Sequence, residues 1–138
     1  MAIDYEKWEK ETERIRKENE ALLEEFEFWL SKSGVGDKTI NRHIGNVDFY
    51  INNYLLYSDI VEAKDGALDI GGFLGDWFIR KVTWSSRANI KASAASFKKF
   101  YTFLLERGDI SKEELKELKA LIKEEMPDWL DNVDDDGW

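Results

Sequence analysis

An all-α fold is what this sequence predicts, on three observations. Apolar residues recur at three- and four-residue spacing in segment after segment, no stretch alternates with a period of two, and glycines together with the single proline fall between the periodic stretches. The 138 residues suit one domain, long enough to bury a hydrophobic core. Apolar residues at 43% and aromatic residues at 14%, set against 36% charged, argue against a disordered chain. The expected architecture is a compact bundle of four to five helices, with a long N-terminal helix and a C-terminal helix plus an acidic tail.

The first helix is expected from about Asp4 to Ser31, closing at Gly34 in a left-handed cap. Trp8, Ile15, Leu22 and Trp29 recur every seven residues, and Tyr5, Thr12, Asn19 and Phe26 form a second row three residues ahead. Such a seam fits either a short coiled coil or a charged helix lying on its own domain. Asp37 is the expected N-cap of a second helix reaching about Tyr57, with Ile40, Ile44, Val47, Ile51, Tyr54 and Leu55 on one face. Phe49, Tyr50 and Leu56 lie off that face, so the C-terminal half of this helix is expected to be buried on more than one side.

Residues 58–71 read as a loop of acids, small residues and glycines. A short third helix from about Phe73 to Val82 turns Phe73, Leu74, Trp77 and Phe78 inward. The hydroxyls of the link from Thr83 to Ser86 are placed to cap a fourth helix, which runs to about Glu106, ends at Gly108 and carries the core stripe Ile90, Ala94, Phe97, Tyr101 and Leu104. Ser111 and Glu114 make a capping box that opens a fifth helix bearing Leu115, Leu118, Leu121 and Ile122, with Pro127 as its stop. Asp128 to Trp138 then reads as an acidic tail with Trp129 and Leu130 in it.

The chemistry that this composition excludes is broad. With no cysteine there is neither disulfide nor thiolate metal site, and a reducing cytoplasm is the expected compartment. The N-terminus lacks the basic start and apolar stretch of a signal peptide, and no apolar run approaches the roughly 20 residues that span a bilayer. His43 is the only histidine and sits beside the core stripe, where a surface or capping role is expected. Asp134, Asp135 and Asp136 read as a solubilising tail rather than a cation site, and Gly71, Gly72 and Gly75 lack the Gly-Lys-Ser/Thr of a phosphate-binding loop. No catalytic residue, metal or cofactor is expected.

Three segments resemble a known family. Leu23-Glu-Glu-Phe26-Glu-Phe-Trp29-Leu-Ser-Lys-Ser-Gly34 is aromatic-rich and ends in Leu-x-x-x-Gly; Asp37-Lys-Thr39-Ile-Asn-Arg42-His-Ile-Gly-Asn-Val-Asp-Phe-Tyr50 has a polar start that leads into an amphipathic helix; and Ala88 to Ile110 runs from small residues into Phe97-x-x-Phe100-Tyr-x-Phe-Leu104 and closes at Gly108-x-Ile110. Together they resemble the N-terminal SAM-like core-binding domain of phage integrases and other tyrosine recombinases. The resemblance implies a core-binding domain over residues 22–110, preceded by a charged helical extension (1–21) and followed by a C-terminal helix and acidic tail (111–138) packed on the same domain. The family's catalytic domain, with its arginines, histidines and tyrosine nucleophile, has no counterpart in these residues, so no enzyme is expected.

In that family the second and fourth helices face DNA. Carried over residue by residue, the resemblance implies phosphate contacts from Lys38, Thr39, Asn41 and Arg42 at the start of the second helix, Arg80 and Lys81 at the end of the third, and Arg87, Lys91, Lys98 and Lys99 on the fourth. A net charge of −9 opposes DNA at long range, yet between Ala67 and Ile110 seven bases stand against four acids. Two readings follow. One is a non-catalytic module that binds double-stranded DNA weakly and salt-sensitively. The other is a helical module that has lost DNA and binds a protein partner or a second copy through the Trp8–Ile15–Leu22–Trp29 seam of the N-terminal helix or through Trp129 and Leu130 of the tail.

Overall fold

The computed structural model describes residues 2–57, 59–83 and 85–133, and among these residues the chain is helical with no strand. Six α-helices follow in order: α1 (Ala2–Lys32), α2 (Asp37–Phe49), α3 (Ile70–Gly72), α4 (Phe78–Lys81), α5 (Arg87–Arg107) and α6 (Lys112–Asn132). Two five-residue π-turns interrupt the helical pattern, at Tyr50–Tyr54 after α2 and at Phe73–Trp77 between α3 and α4. The chain divides into two compact units, residues 1–66 and 67–138. The 22–110 segment marked by the resemblance straddles that division.

In the first unit, α1 runs unbroken to Lys32 and is closed by Gly34, whose φ of +83° fits the expected left-handed cap. Its most buried row is Thr12, Ile15, Asn19, Phe26 and Leu30, while Trp8, Leu22 and Trp29 are only half-buried. Buried asparagine needs partners, and Asn19 has two: its Nδ2 donates to the Ile51 carbonyl at 3.3 Å and to Asn52 Oδ1 at 2.8 Å. The N-cap of α2 is Gly36 rather than Asp37, and it makes no side-chain capping bond; Asp37 is the first helical residue, where its charge suits the helix dipole. The buried row of α2 is Ile40, His43 and Val47, so His43, expected at the surface, lies inside at 6% exposure, and Ile44 is half-buried. The helix turns slightly further than the apolar residues alone suggested.

α2 stops at Phe49, and the predicted helical continuation to Tyr57 is instead the first π-turn, in which the Leu55 N–H reaches the Tyr50 carbonyl at 3.0 Å. This extra residue per turn brings Tyr50, Ile51, Leu55 and Leu56 all inside, which is why no single face held them. The Tyr50 hydroxyl donates to the Gly66 carbonyl at 2.6 Å and fastens the end of the unit's last loop. That loop, read from sequence as wholly irregular, contains one 3₁₀ turn at Ala63–Asp65.

In the second unit, Phe73 centres an aromatic core, with Phe78 at 5.4 Å and Phe97 edge-on at 5.9 Å. Ser86 caps α5 by accepting from the Asn89 N–H at 3.1 Å, and α5 ends at Gly108 with φ of +88°. Both halves of the Ser111–Glu114 capping box form.

Pro127 does not stop α6. The helix continues through it to Asn132, so residues 128–132, expected as tail, are helical; the acidic residues 134–136 and Trp138 lie outside the described residues. An interior proline forfeits a backbone bond and costs on the order of 3 kcal/mol. Three anchors beyond it offset that cost. Trp129 is 2% exposed, Asn132 Nδ2 donates to the Gly75 carbonyl at 3.3 Å, and Arg87 Nη1 donates to the Leu130 carbonyl at 3.2 Å. Trp129 is therefore core, not the free tail aromatic expected for a partner. Its indole rests so closely on the second π-turn that a Cβ built on Gly75 would stand 2.8 Å from the ring, which is why that position is glycine.

Candidate nucleic-acid interface

α5 carries the strongest charge contrast in the chain. Its 21 residues hold five bases (Arg87, Lys91, Lys98, Lys99, Arg107) and one acid (Glu106), in a protein whose acids outnumber its bases 29 to 20. Helical spacing fixes which of these share a face. Lys91 and Lys98 are seven residues apart and lie one above the other, with exposed Ala95 and half-buried Thr102 beside them; Lys99 lies a step around the helix. The small side chains leave the backbone of this face open to close approach, and the Thr102 hydroxyl is turned back onto the Lys98 carbonyl at 2.7 Å. Lys91, Lys98 and Lys99 are exposed and form no ion pair among the described residues.

The arginines behave differently. Arg80 is held by a two-pronged bond to Asp76, at 2.8 and 2.9 Å, one helical turn away. That bond lowers the Asp76 carboxyl below its ordinary value of 3.8 and raises the Arg80 guanidinium. Arg107 pairs with Asp109 at 2.9 Å, and Arg87 is engaged with the end of α6. Of the residues implied on the third and fourth helices, Lys81, Lys91, Lys98 and Lys99 thus present unpaired charge, whereas Arg80 and Arg87 are already bonded within the unit.

In the first unit, Lys38, Asn41 and Arg42 are exposed on the first turns of α2 and Thr39 is half-buried. Their surroundings are acidic. Asn41 lines an open groove between α1 and α2 together with Glu24, Glu27 and Asp37. This groove escaped the sequence reading, although one signal was there: Phe28 sits two positions from Phe26 and one from Trp29, off the buried row, on the solvated side of α1. The π-turns left no such mark.

Among the described residues no group of three or more His, Asp or Glu side chains is arranged to hold a metal ion, and no helix is long and apolar enough to cross a membrane. No family model, curated protein or solved structure matches the chain.

Proposed function

We propose that this chain is a non-catalytic helical module that contacts the phosphates of double-stranded DNA, weakly and without base readout, through the exposed face of α5. The observation that carries the reading is the row Lys91 and Lys98 with Lys99 beside it, left unpaired on a helix nearly free of acids while carboxylates elsewhere are paired with Arg14, Arg80 and Arg107. The resemblance to the core-binding domain of tyrosine recombinases, in which the corresponding helix meets DNA, supports the same face. Three phosphate contacts predict micromolar or weaker binding, and a loss of about 40-fold in affinity between about 50 and 200 mM salt. Anisotropy of a labelled duplex at the two salt concentrations tests this. Lys91→Ala combined with Lys98→Ala should abolish most of the salt dependence, and absence of binding by the unaltered protein at the lower salt would refute the reading.

A second reading, a helical module that pairs with a protein or with its own copy, is favoured by one observation at the start of α1. Tyr5 is 60% exposed and stacks on half-buried Trp8, with ring centroids 5.9 Å apart. Sedimentation of the unaltered protein and of Tyr5→Ser separates the two, since only this reading expects a dimer that the substitution dissolves.

A further inference from the structure

The first unit carries a second charged surface that is independent of the DNA reading. Between the C-terminal half of α1 and the start of α2 lies a groove of about 580 Å³, within the ~300–1,000 Å³ range of sites that hold small ligands and side chains. Its floor is apolar: Ile40 lies buried beneath, and Phe28 stands 61% exposed. Its walls carry the carboxylates Glu24, Glu27 and Asp37, none of which forms an ion pair among the described residues. An aromatic ring at that exposure adds little to folding, and three unpaired carboxylates around it oppose one another.

We infer that this groove is a docking site for a lysine- or arginine-bearing peptide segment of a partner protein. Three unpaired negative charges around an aromatic face complement a cation on an aliphatic stem, because the stem covers the ring while the head meets the carboxylates. The protein already supplies one instance of this chemistry: the Lys32 ammonium lies 4.8 Å from the centre of the Phe28 ring. The side chain of Lys32 is exposed and held there by the ring alone among the described residues, so an incoming cation competes with it for the same place. The carboxylates are not arranged to share a metal ion, and they repel phosphate, which leaves an organic cation as the fitting occupant.

The probe is a short labelled peptide of lysine, arginine and alanine, titrated by anisotropy at low salt into the full chain. Four variants accompany it, each checked for unchanged helical circular dichroism. Glu24→Gln with Glu27→Gln should weaken binding about tenfold, and Phe28→Ala about threefold to fivefold. Glu113→Gln with Glu117→Gln removes the same charge from exposed positions on α6 and should change binding little. Lys91→Ala with Lys98→Ala, which disables the proposed DNA face, should leave peptide binding intact, so failure of one reading is distinguishable from failure of the other. Lack of binding up to about 1 mM peptide, a loss on α6 equal to that in the groove, or indifference to Phe28→Ala would each overturn the inference.

Discussion

Replacing Asn19 tests how α1 is held. Two explanations compete for this residue: a polar interruption in an apolar seam meant for another helix, or a clamp on the first π-turn. The seam explanation predicts that Asn19→Leu stabilises, because it completes the row Ile15, Asn19, Phe26 with another apolar side chain. The clamp predicts the reverse. Asn19 is 3% exposed and donates to both the Ile51 carbonyl and Asn52 Oδ1, and Ile51 itself is fully buried. Any apolar replacement removes two hydrogen bonds worth about 1 kcal/mol each and strands a buried carbonyl, so Asn19→Leu and Asn19→Ala should both cost about 2–3 kcal/mol. For a chain of this length that lowers the melting temperature by roughly 6–12 °C. Asn19→Asp keeps the shape but points a carboxylate at two acceptors, and should cost more. Its folded carboxyl would titrate above the unfolded one, so the native state holds the proton more tightly and stability is regained as the pH falls toward roughly 4. Thermal and urea melts at neutral and acid pH measure all three variants. A stabilised Asn19→Leu, or an Asn19→Asp as stable as the unaltered protein, would refute the clamp.

Other positions give sharper local tests. Gly75→Ala places a methyl 2.8 Å from the rigid, buried Trp129 indole and should destabilise by about 1–3 kcal/mol in urea melts. Ser111→Ala removes the capping bond to the Glu114 N–H and should cost about 1 kcal/mol, measured in the same way. The carboxyls of Glu11 and Asp76, bonded to Arg14 and Arg80, should titrate by NMR below their ordinary 4.5 and 3.8; such depressed groups add stability above the carboxylate range and lose it as the pH falls through the folded value, but both pairs lie open to solvent, so the melting temperature should scarcely respond. Asp76→Asn should free Arg80 and steepen the salt dependence of DNA binding by about one phosphate contact, read by anisotropy.

What was legible in the sequence was local. Gly34, Gly108, Ser86 and the Ser111–Glu114 box act within a turn of their own helix, and each appears where its chemistry requires. What was illegible depends on partners far along the chain. Pro127 ends a helix when nothing lies beyond it, but here Trp129, Leu130 and Asn132 are bonded or packed onto residues 75 and 87, and those anchors outweigh the lost backbone bond. His43 lies just beside the stripe that the apolar residues of α2 mark out, yet with the helix packed it falls between Ile40 and Val47 on the row that is buried. Neither π-turn has a local signature: Tyr50–Tyr54 and Phe73–Trp77 differ in every residue, and share only an aliphatic second residue and an aromatic at each end, stacked at 5.5 and 5.7 Å, a pattern that a buried α-helix carries equally well. The positions of the candidate site residues on exposed helical faces followed from periodicity, while their pairing did not, since Asp76 and the Leu130 carbonyl entered only with the fold.

The two π-turns bear on function through the same physics. A π-turn widens the backbone ladder and strains its bonds, so it persists where surrounding packing determines it. Here each is determined twice over, by its stacked aromatic pair and by an asparagine amide on a carbonyl: Asn19 on Ile51, and Asn132 on Gly75. The inner sides of both units are thereby committed to holding the backbone. Arginine, whose planar fork suits fixed bonding, is mostly committed as well, at Arg14, Arg80, Arg87 and Arg107. Among the charges left over are the α5 lysines and the groove carboxylates, which form no ion pair among the described residues. Their removal should therefore leave the melting temperature unchanged while altering binding, and a melting temperature that falls with Lys91→Ala and Lys98→Ala, or with Glu24→Gln and Glu27→Gln, would mean that these side chains serve the fold rather than a partner.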